Sequence, residues 1–374
     1  MDPTIQKFND DLLLSESDRK LASNRFPELA HVLDFPELRQ LFEKHEALAK
    51  RAKTTGRIAG FVAIGFGVVA LLVASTTLLF ECSPTSTNGL SSDLSRWVGA
   101  IASVLGVASV LIGGFGALTR GSKQRWLCHR LMTERLRQFQ FQVLVCRMPE
   151  VLASMHDPHG RERFASKRMG WFEQFQLTHE GHLAAKLVAV LDDDAESDFL
   201  LHDHVESPGP RAATDRNLHE LCAAYRLLRL DHQLQYANYK LRADERIVSS
   251  SAARQLVVLR DLSLSLIAAV FVAHLGLALW LGISKAGAAP WVHISIICLV
   301  IGVLAARAIE EGLQPSREVE RYVRYRSSML SLLSRFDGAP TLAERIRVML
   351  EAERTVYQEM RGFMRTNHEA RFVL

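Results

Sequence analysis

Residues able to do chemistry are sparse in this 374-residue chain, and they do not converge. The densest group is Asp192-Asp193-Asp194 with His202, Asp203, His204 and Glu206, whose hard oxygen ligands and imidazoles suit a divalent cation. The stretch also reads as a solvated acidic linker, because it runs into the breaker cluster Ser207-Pro208-Gly209-Pro210. The linker reading is preferred, and no metal or cofactor is assigned. His274 interrupts a long apolar run, where a charged imidazole is costly. It is either a pore-facing or proton-sensing group, or a neutral ring hydrogen-bonded to a neighbouring helix. The five cysteines (Cys82, Cys128, Cys146, Cys222, Cys298) show no CxxC and no metal spacing, and their odd number argues against a disulfide framework. Cys82 alone is expected on the non-cytoplasmic side, as an unpaired thiol or as a cross-link between subunits. There is no GxSxG, HExxH or Walker loop, and no GxGxxG placed after a strand. Strand patterning is nearly absent. A catalytic pair inside the apolar runs would need facing Asp, Glu or His, and only His274 qualifies. No catalytic residue is assigned and no enzyme is expected.

The elements around these residues are apolar and helical. Residues 58–80 and 97–118 carry no charge, 262–283 hold His274, and 287–306 hold His293 near the start, with Pro290 marking the beginning and Arg307 following the end. Each run has about 20 residues, the length a helix needs to cross about 30 Å of hydrocarbon. Helix is the economical form there because backbone groups find no water. Net charge is +4, too little to argue for nucleic acid, and no aromatic-basic stripe supports it. A cationic strip beside a lipid bilayer explains it better. The first fifty residues are polar, so no cleavable signal peptide is expected.

The flanks orient the spans. Lys44, Lys50, Arg51, Lys53 and Arg57 precede the first; Arg120, Lys123, Arg125, Arg130, Arg135 and Arg137 follow the second. Arg242, Arg246, Arg254 and Arg260 precede the third; Arg307, Arg317, Arg321, Arg324 and Arg326 follow the fourth. The two connecting loops hold one basic residue each, Arg96 and Lys285. By the positive-inside rule both termini are cytoplasmic, in the inner (cell) membrane. Trp97, Trp280 and Trp291 fall at outer interfaces. The expected fold is an all-α integral membrane protein, with four transmembrane helices as two hairpins and long cytoplasmic helical extensions.

The chain is written twice. Residues 1–190 form one two-span helical unit, 191–210 an acidic linker, and 211–374 a second unit. After span two a heptad-like seam runs Met132, Leu136, Phe139, Val143, Cys146; after span four another runs Val319, Tyr322, Arg326, Met329, Leu333, Phe336. Turns at Met155–Gly160 and Asp337–Pro340 lead to further amphipathic helices. The first lies around Phe164, Trp171 and Phe175; the second runs through Leu342, Ile346, Met349, Glu353, Val356, Met360 and Phe363. Arg326 and Glu353 interrupt apolar seams and are expected to pair. Small residues recur at helix-packing spacing: Ala59, Ala63 and Gly67 in span one, Ala102, Gly106, Ser109 and Gly113 in span two. They either hold the hairpin together or face a second subunit. The seam leaving span two suggests a gate, with polar replacements at Leu136 and Phe139 expected to raise basal leak.

Four stretches resemble the SLATT family, the two-transmembrane effector domains that associate with SMODS nucleotide synthetases and SLOG sensors in bacterial conflict systems. They are the lead-in Phe42-Glu43-Lys44-His45-Glu46-Ala47, the helix Trp126-Leu127-Cys128-His129-Arg130-Leu131-Met132-Thr133-Glu134-Arg135-Leu136-Arg137, the second lead-in Tyr236-Ala237-Asn238-Tyr239-Lys240, and the closing Glu351–Met360. The resemblance, as a tandem pair, implies a homo-oligomeric, pore-forming effector of antiviral defence. Its trigger would come from a nucleotide synthetase or sensor partner. Two other readings stay open: a non-conducting scaffold recruiting a soluble partner, and a weakly selective channel. The two halves share one orientation, which disfavours an inverted-repeat transporter.

Overall fold

A computed structural model describes residues 10–81, 90–118, 120–192, 199–201, 215–242, 251–283 and 290–370. Every regular element among the described residues is helical. In chain order the α-helices are α1 (Glu16–Arg25), α2 (Ala30–Leu33), α3 (Pro36–Glu81), α4 (Leu90–Leu118), α5 (Arg120–Cys146), α6 (Met148–Ser154) and α7 (Pro158–His179). They continue with α8 (Leu183–Leu191), α9 (Asp215–Tyr225), α10 (His232–Leu241), α11 (Ala252–Ile283), α12 (Pro290–Leu313), α13 (Pro315–Gly338) and α14 (Leu342–Glu369). A π-helical turn, Arg226–Asp231, joins α9 to α10.

Local signals set the starts. Ser15 caps α1 in a capping box with Asp18. Asp157 caps α7 by accepting from the Gly160 amide. Four helices, α3, α7, α12 and α13, open on proline, whose missing N–H costs nothing in a first turn. Pro290 thus begins α12 as expected. Gln314 separates α12 from α13 at φ 46°, a left-handed conformation costly for a side chain with a Cβ.

Cα packing divides the chain into two compact units, each drawn from both sequence halves. Unit 1 is Met1–Arg51, Gln124–Arg242 and Arg317–His368; unit 2 is Ala52–Lys123, Ala243–Ser316 and Glu369–Leu374.

Unit 1 is built around α5. The seam Met132, Leu136, Phe139, Val143 and Cys146 is buried, none of it above 3% exposed. Leu131, Phe141, Leu144 and Val145 on the other faces are buried as well, so α5 is encased rather than one-sided. Phe139 meets Phe35, Phe172 and Phe175 with ring centroids 6.5, 5.6 and 5.2 Å away. Leu136 and Phe139 therefore sit in the core of this unit. A polar residue at Phe139 costs about 3–5 kcal/mol of packing before any leak is read.

The second seam is shifted. On α13 the buried stripe is Tyr322, Tyr325, Met329, Leu332 and Phe336, while Arg326 is exposed and Val319 and Leu333 are half-buried. Residues 322, 329 and 336 were placed correctly by spacing. The others fail because Tyr325 and Leu332 extend the stripe on its opposite side. On α14, Ile346, Met349, Glu353, Val356 and Met360 are buried as expected.

Unit 2 inverts the usual distribution. Phe61, Leu71, Ile101, Val104, Val107, Phe271, Val272 and Leu279 are all exposed. Among the described residues, three helices are long and apolar enough to cross a membrane, within Ala30–Thr76, Ala252–Leu281 and Trp291–Gly338. The described part of the remaining expected span, Trp97–Leu111, is a shorter apolar helix. Two hydroxyls in these segments turn back on helix carbonyls, Ser75 donating to Leu72 O at 2.7 Å and Ser295 to Trp291 O at 2.9 Å, while the buried Ser263 hydroxyl of α11 makes no such bond. Apolar surface facing outward is the pattern a bilayer demands.

Two glycines of α7 should respond oppositely to alanine. A Cβ at Gly160 would lie 2.6 Å from the Ala153 carbonyl oxygen, whereas one at Gly170 meets nothing within 4 Å. Gly160→Ala is expected to cost about 1–3 kcal/mol, and Gly170→Ala to stabilise by about 0.5–1 kcal/mol through helix propensity. Thermal unfolding in detergent reads both signs; shifts of the same sign would refute the packing described for the α6–α7 turn.

Candidate functional site: a small-residue groove and a buried ion network

Two places gather residues with more than a packing role, one in each unit.

In unit 2, α3 and α4 meet through small residues. The Ser109 hydroxyl donates to the Ala63 carbonyl at 2.8 Å. A Cβ on Gly67 would come within 2.9 Å of Ser109 Oγ, and one on Gly106 would lie 3.9 Å from the Ala70 methyl. Here small side chains let backbones approach closely enough for a hydroxyl to bridge two helices. Beside this contact lies an open groove of about 540 Å³, lined by Gly67, Ala70, Ala74, Gly99, Ala102 and Gly106, among others. Of the predicted residues, Ala63, Gly67, Gly106 and Ser109 are thus brought together, and Ala102 lines the same groove. Ala59 is half-buried one turn earlier on α3. Gly113 lies within α4, but its surroundings fall outside the described residues. On the other pair of helices, Leu266 of α11 packs 3.6 Å from where a Cβ on Gly302 of α12 would lie.

His274 is exposed on α11, and its Nδ1 donates to the carbonyl of Val270, one turn back on the same helix, at 2.9 Å. The bond seen at His274 Nδ1 is thus to its own helix backbone rather than to a neighbouring helix. The acidic run 193–198 and residues 202–206 lie outside the described residues, as does Cys82. Among the described residues no His, Cys, Asp and Glu group has metal-binding geometry.

In unit 1 a network of buried ions runs between the helices. Glu353 of α14 and Arg229 of the π turn have no more than 1% of their side chains exposed. They form a bidentate pair, Arg229 Nε to Oε1 at 2.8 Å and Nη2 to Oε2 at 2.7 Å. The Tyr225 hydroxyl donates to Glu353 Oε1 at 2.9 Å and lies 3.1 Å from the Met349 carbonyl. The Arg229 guanidinium lies 4.6 Å from the centre of the Phe141 ring. Glu353 was expected to pair with Arg326; its partner is Arg229, from a helix 124 residues earlier. The usable signal was Tyr225 and Arg229, four apart beside Leu221 and Leu230, an arginine on a buried stripe that needs an anion. Its neighbour Arg226 is instead bound to Asp337, at 2.7 and 2.8 Å.

The network continues through Arg130, which contacts Glu134 at 2.6 Å and Glu46 at 3.5 Å, and through Arg137, 2.9 Å from Glu134 and 3.3 Å from Asp11. Burial works against the Glu134 charge, but Arg130 and Arg137 hold its carboxyl below the ordinary range. Glu359 goes the other way. It lies 3.0 Å from Arg321, yet burial, aided by Glu134 and Glu318, raises its pKa. Burial also raises the Cys146 thiol to about 12, which leaves it an inert core side chain. These contacts hold helices in register and bind anions to cations; none presents a nucleophile with a base.

Two imidazoles are held neutral. His45, 2% exposed, places Nδ1 3.0 Å from His129 Nδ1 and faces Glu180 and Lys44; burial, then His129, lowers its pKa to about 4. Nε2 of His31 lies 2.8 Å from the Ser154 hydroxyl, and burial, then Arg161 and Arg168, lowers its pKa to about 4. The unfolded imidazole, near 6.5, takes its proton first, so this contribution is intact above that pH and is lost as pH falls toward 4. Unit 1 should lose stability across that window, and the His31→Gln/His45→Asn variant should show a flatter slope in pH-dependent unfolding. A slope unchanged in the variant would remove these residues from the acid response.

The ion pair makes a second prediction. Arg229→Met leaves Glu353 buried and unanswered, at about 3–5 kcal/mol. Arg229→Met/Glu353→Met should recover most of that loss in the same unfolding assay. A double variant as unstable as the single would show that the pair is not the coupled element.

No family model, no curated protein and no solved structure matches this chain.

Proposed function

We propose that the chain is a membrane effector that assembles from several copies and perforates or perturbs the inner membrane when a partner or nucleotide signal reaches its cytoplasmic helices. In this reading four helices, α3, α4, α11 and α12, span the bilayer as two hairpins, with both termini cytoplasmic. The basic flanks support that topology. The SLATT resemblance at Phe42–Ala47, Trp126–Arg137, Tyr236–Lys240 and Glu351–Met360 supports the role in conflict systems, with a synthetase or sensor as partner. All four stretches fall in unit 1.

The observation that carries the oligomeric part is the open groove on α3 and α4. Most of its lining is glycine, alanine and serine, with Leu71 and Val110 beside them, so a helix from a second copy can approach closely, and in lipid such contacts drive association where the hydrophobic effect cannot. The spans carry no run of charges, which fits a weakly selective opening better than a charged filter. Catalysis has no place in this reading.

Purified protein in planar bilayers should raise conductance when the correct nucleotide or partner is added. Gly99→Leu/Gly106→Leu, which fills the groove, should return the current to that of the bare bilayer while leaving the protein inserted. Silence of folded, oriented wild-type protein under every trigger would favour the non-conducting scaffold, and constant trigger-independent current a simple channel.

A further inference from the structure

Between the two halves of the sequence, three residues, 199–201, are held against side chains of α5 and α14 in unit 1, and the place they fill is termed the cleft. The side-chain amide of Gln142 on α5 reads their backbone twice: its nitrogen donates to the Phe199 carbonyl at 2.8 Å, and its oxygen accepts from the Leu201 amide at 2.8 Å. The carbonyl of one residue and the N–H of the next but one are the groups a neighbouring strand would take. Arg135 Nη1 adds a bond to the same Phe199 carbonyl at 3.4 Å. Arg354 on α14 lies over the Phe199 ring, 5.0 Å from its centre, and Leu201 packs against the hydrophobic core.

Two features mark this as recognition rather than incidental contact. Gln142 has no exposed surface, so a fully buried polar group on the central helix spends its hydrogen bonds on a segment that belongs to no long helix. Phe199-Leu200-Leu201 is also the longest apolar run between Asp192 and Pro210, a stretch dominated by Asp and Glu. Cations beside it suit that composition: besides the buried Arg135 and the exposed Arg354, Arg361 and Arg365 bind the Asp192 carbonyl at the start of the acidic run.

We propose that this cleft is a peptide-recognition site, occupied in cis by Phe199-Leu200-Leu201. In trans it takes a partner segment of the same chemistry: an aromatic residue followed two positions later by an aliphatic one, within an acidic stretch. Main-chain bonds from Gln142 supply affinity, and the Arg354 face and the Leu201 position supply selectivity, as in other sites that read an extended peptide. The partner displaces the resident segment, so the cleft is an address for a protein, separate from the membrane groove and independent of whether the chain conducts.

The test uses the full chain in detergent micelles and a fluorescein-labelled peptide of residues 196–203, Glu-Ser-Asp-Phe-Leu-Leu-His-Asp. Phe199→Ala/Leu201→Ala weakens the resident. Anisotropy should show the peptide binding this variant at least about tenfold tighter than wild type, because an occupied site is available only for the fraction of time it is open. Adding Gln142→Leu should remove at least about tenfold of that affinity, and a scrambled peptide should not bind. Equal affinity for wild type and the released variant, or no binding to a released variant of unchanged helical content, overturns the proposal. If the released variant misfolds, wild type decides. Excess peptide should speed hydrogen exchange at the Leu201 amide, and a rate unchanged up to millimolar peptide overturns the proposal equally.

Discussion

A helix buried on every side has no face on which to leave a polar group, and α5 is such a helix from residue 131 onward. Besides its apolar residues it buries Arg135, Arg137, Gln138, Gln140 and Gln142, none more than 6% exposed. Each needs a partner, since an unmet buried donor or acceptor costs about 1–3 kcal/mol. Some partners lie on α5 itself, Gln138 accepting from Arg135 and Arg137 meeting Glu134, and others lie on different elements. Gln140 reaches the carbonyls of Val32 and Leu33 at the end of α2, Arg137 lies over Phe42 of α3, and Gln142 holds residues 199–201. Hydrophobic burial drives unit 1 together without fixing register; the polar side chains of α5 choose which segment docks where.

The same logic explains why the largest buried charge pair sits where it does. Sequestering a carboxylate and a guanidinium yields little net stability over an apolar pair of the same volume. What the Arg229–Glu353 bond supplies is uniqueness, because a slip of α14 by one residue would strand both charges. The π turn at Arg226–Asp231 contributes by widening the helix just where Arg229 must face Glu353 and Arg226 must face Asp337. π turns are rare and concentrate where a side chain has to be re-aimed.

These constraints mark the limit of what the chain declares in one dimension. Apolar helices such as 58–80 and 262–283 were legible because length and lack of charge are local properties, and the helix start at Pro290 follows from proline chemistry. The fold brings together Ala63, Gly67, Gly106 and Ser109 of the small-residue pattern. The partner of Glu353 was not legible. Periodicity assigns faces to one helix at a time, and Arg326, near in sequence and set on a plausible seam, competed with an arginine more than a hundred residues away. The encasement of α5 was hidden for a related reason: its arginines and glutamines mimic a solvated face, and only their bonds to distant backbone reveal a buried one. Gly160 belongs to the same class, since its need for no side chain arises from the Ala153 carbonyl of the preceding helix.

The two units solve opposite solvent problems with the same helices. In unit 1 water drives apolar residues inward, and large rings such as Phe139, Phe172 and Phe175 fill the interior. In unit 2 many apolar residues point outward, and α3 and α4 meet through residues with almost no side chain, while α11 and α12 also pack a leucine, Leu266, on Gly302. Lipid gives no hydrophobic incentive for helices to pair, so association there rests on close backbone approach, dispersion and bonds such as Ser109 to Ala63. Such contacts are individually weak, whereas separating the helices of unit 1 would strand buried ions such as Arg229 and Glu353.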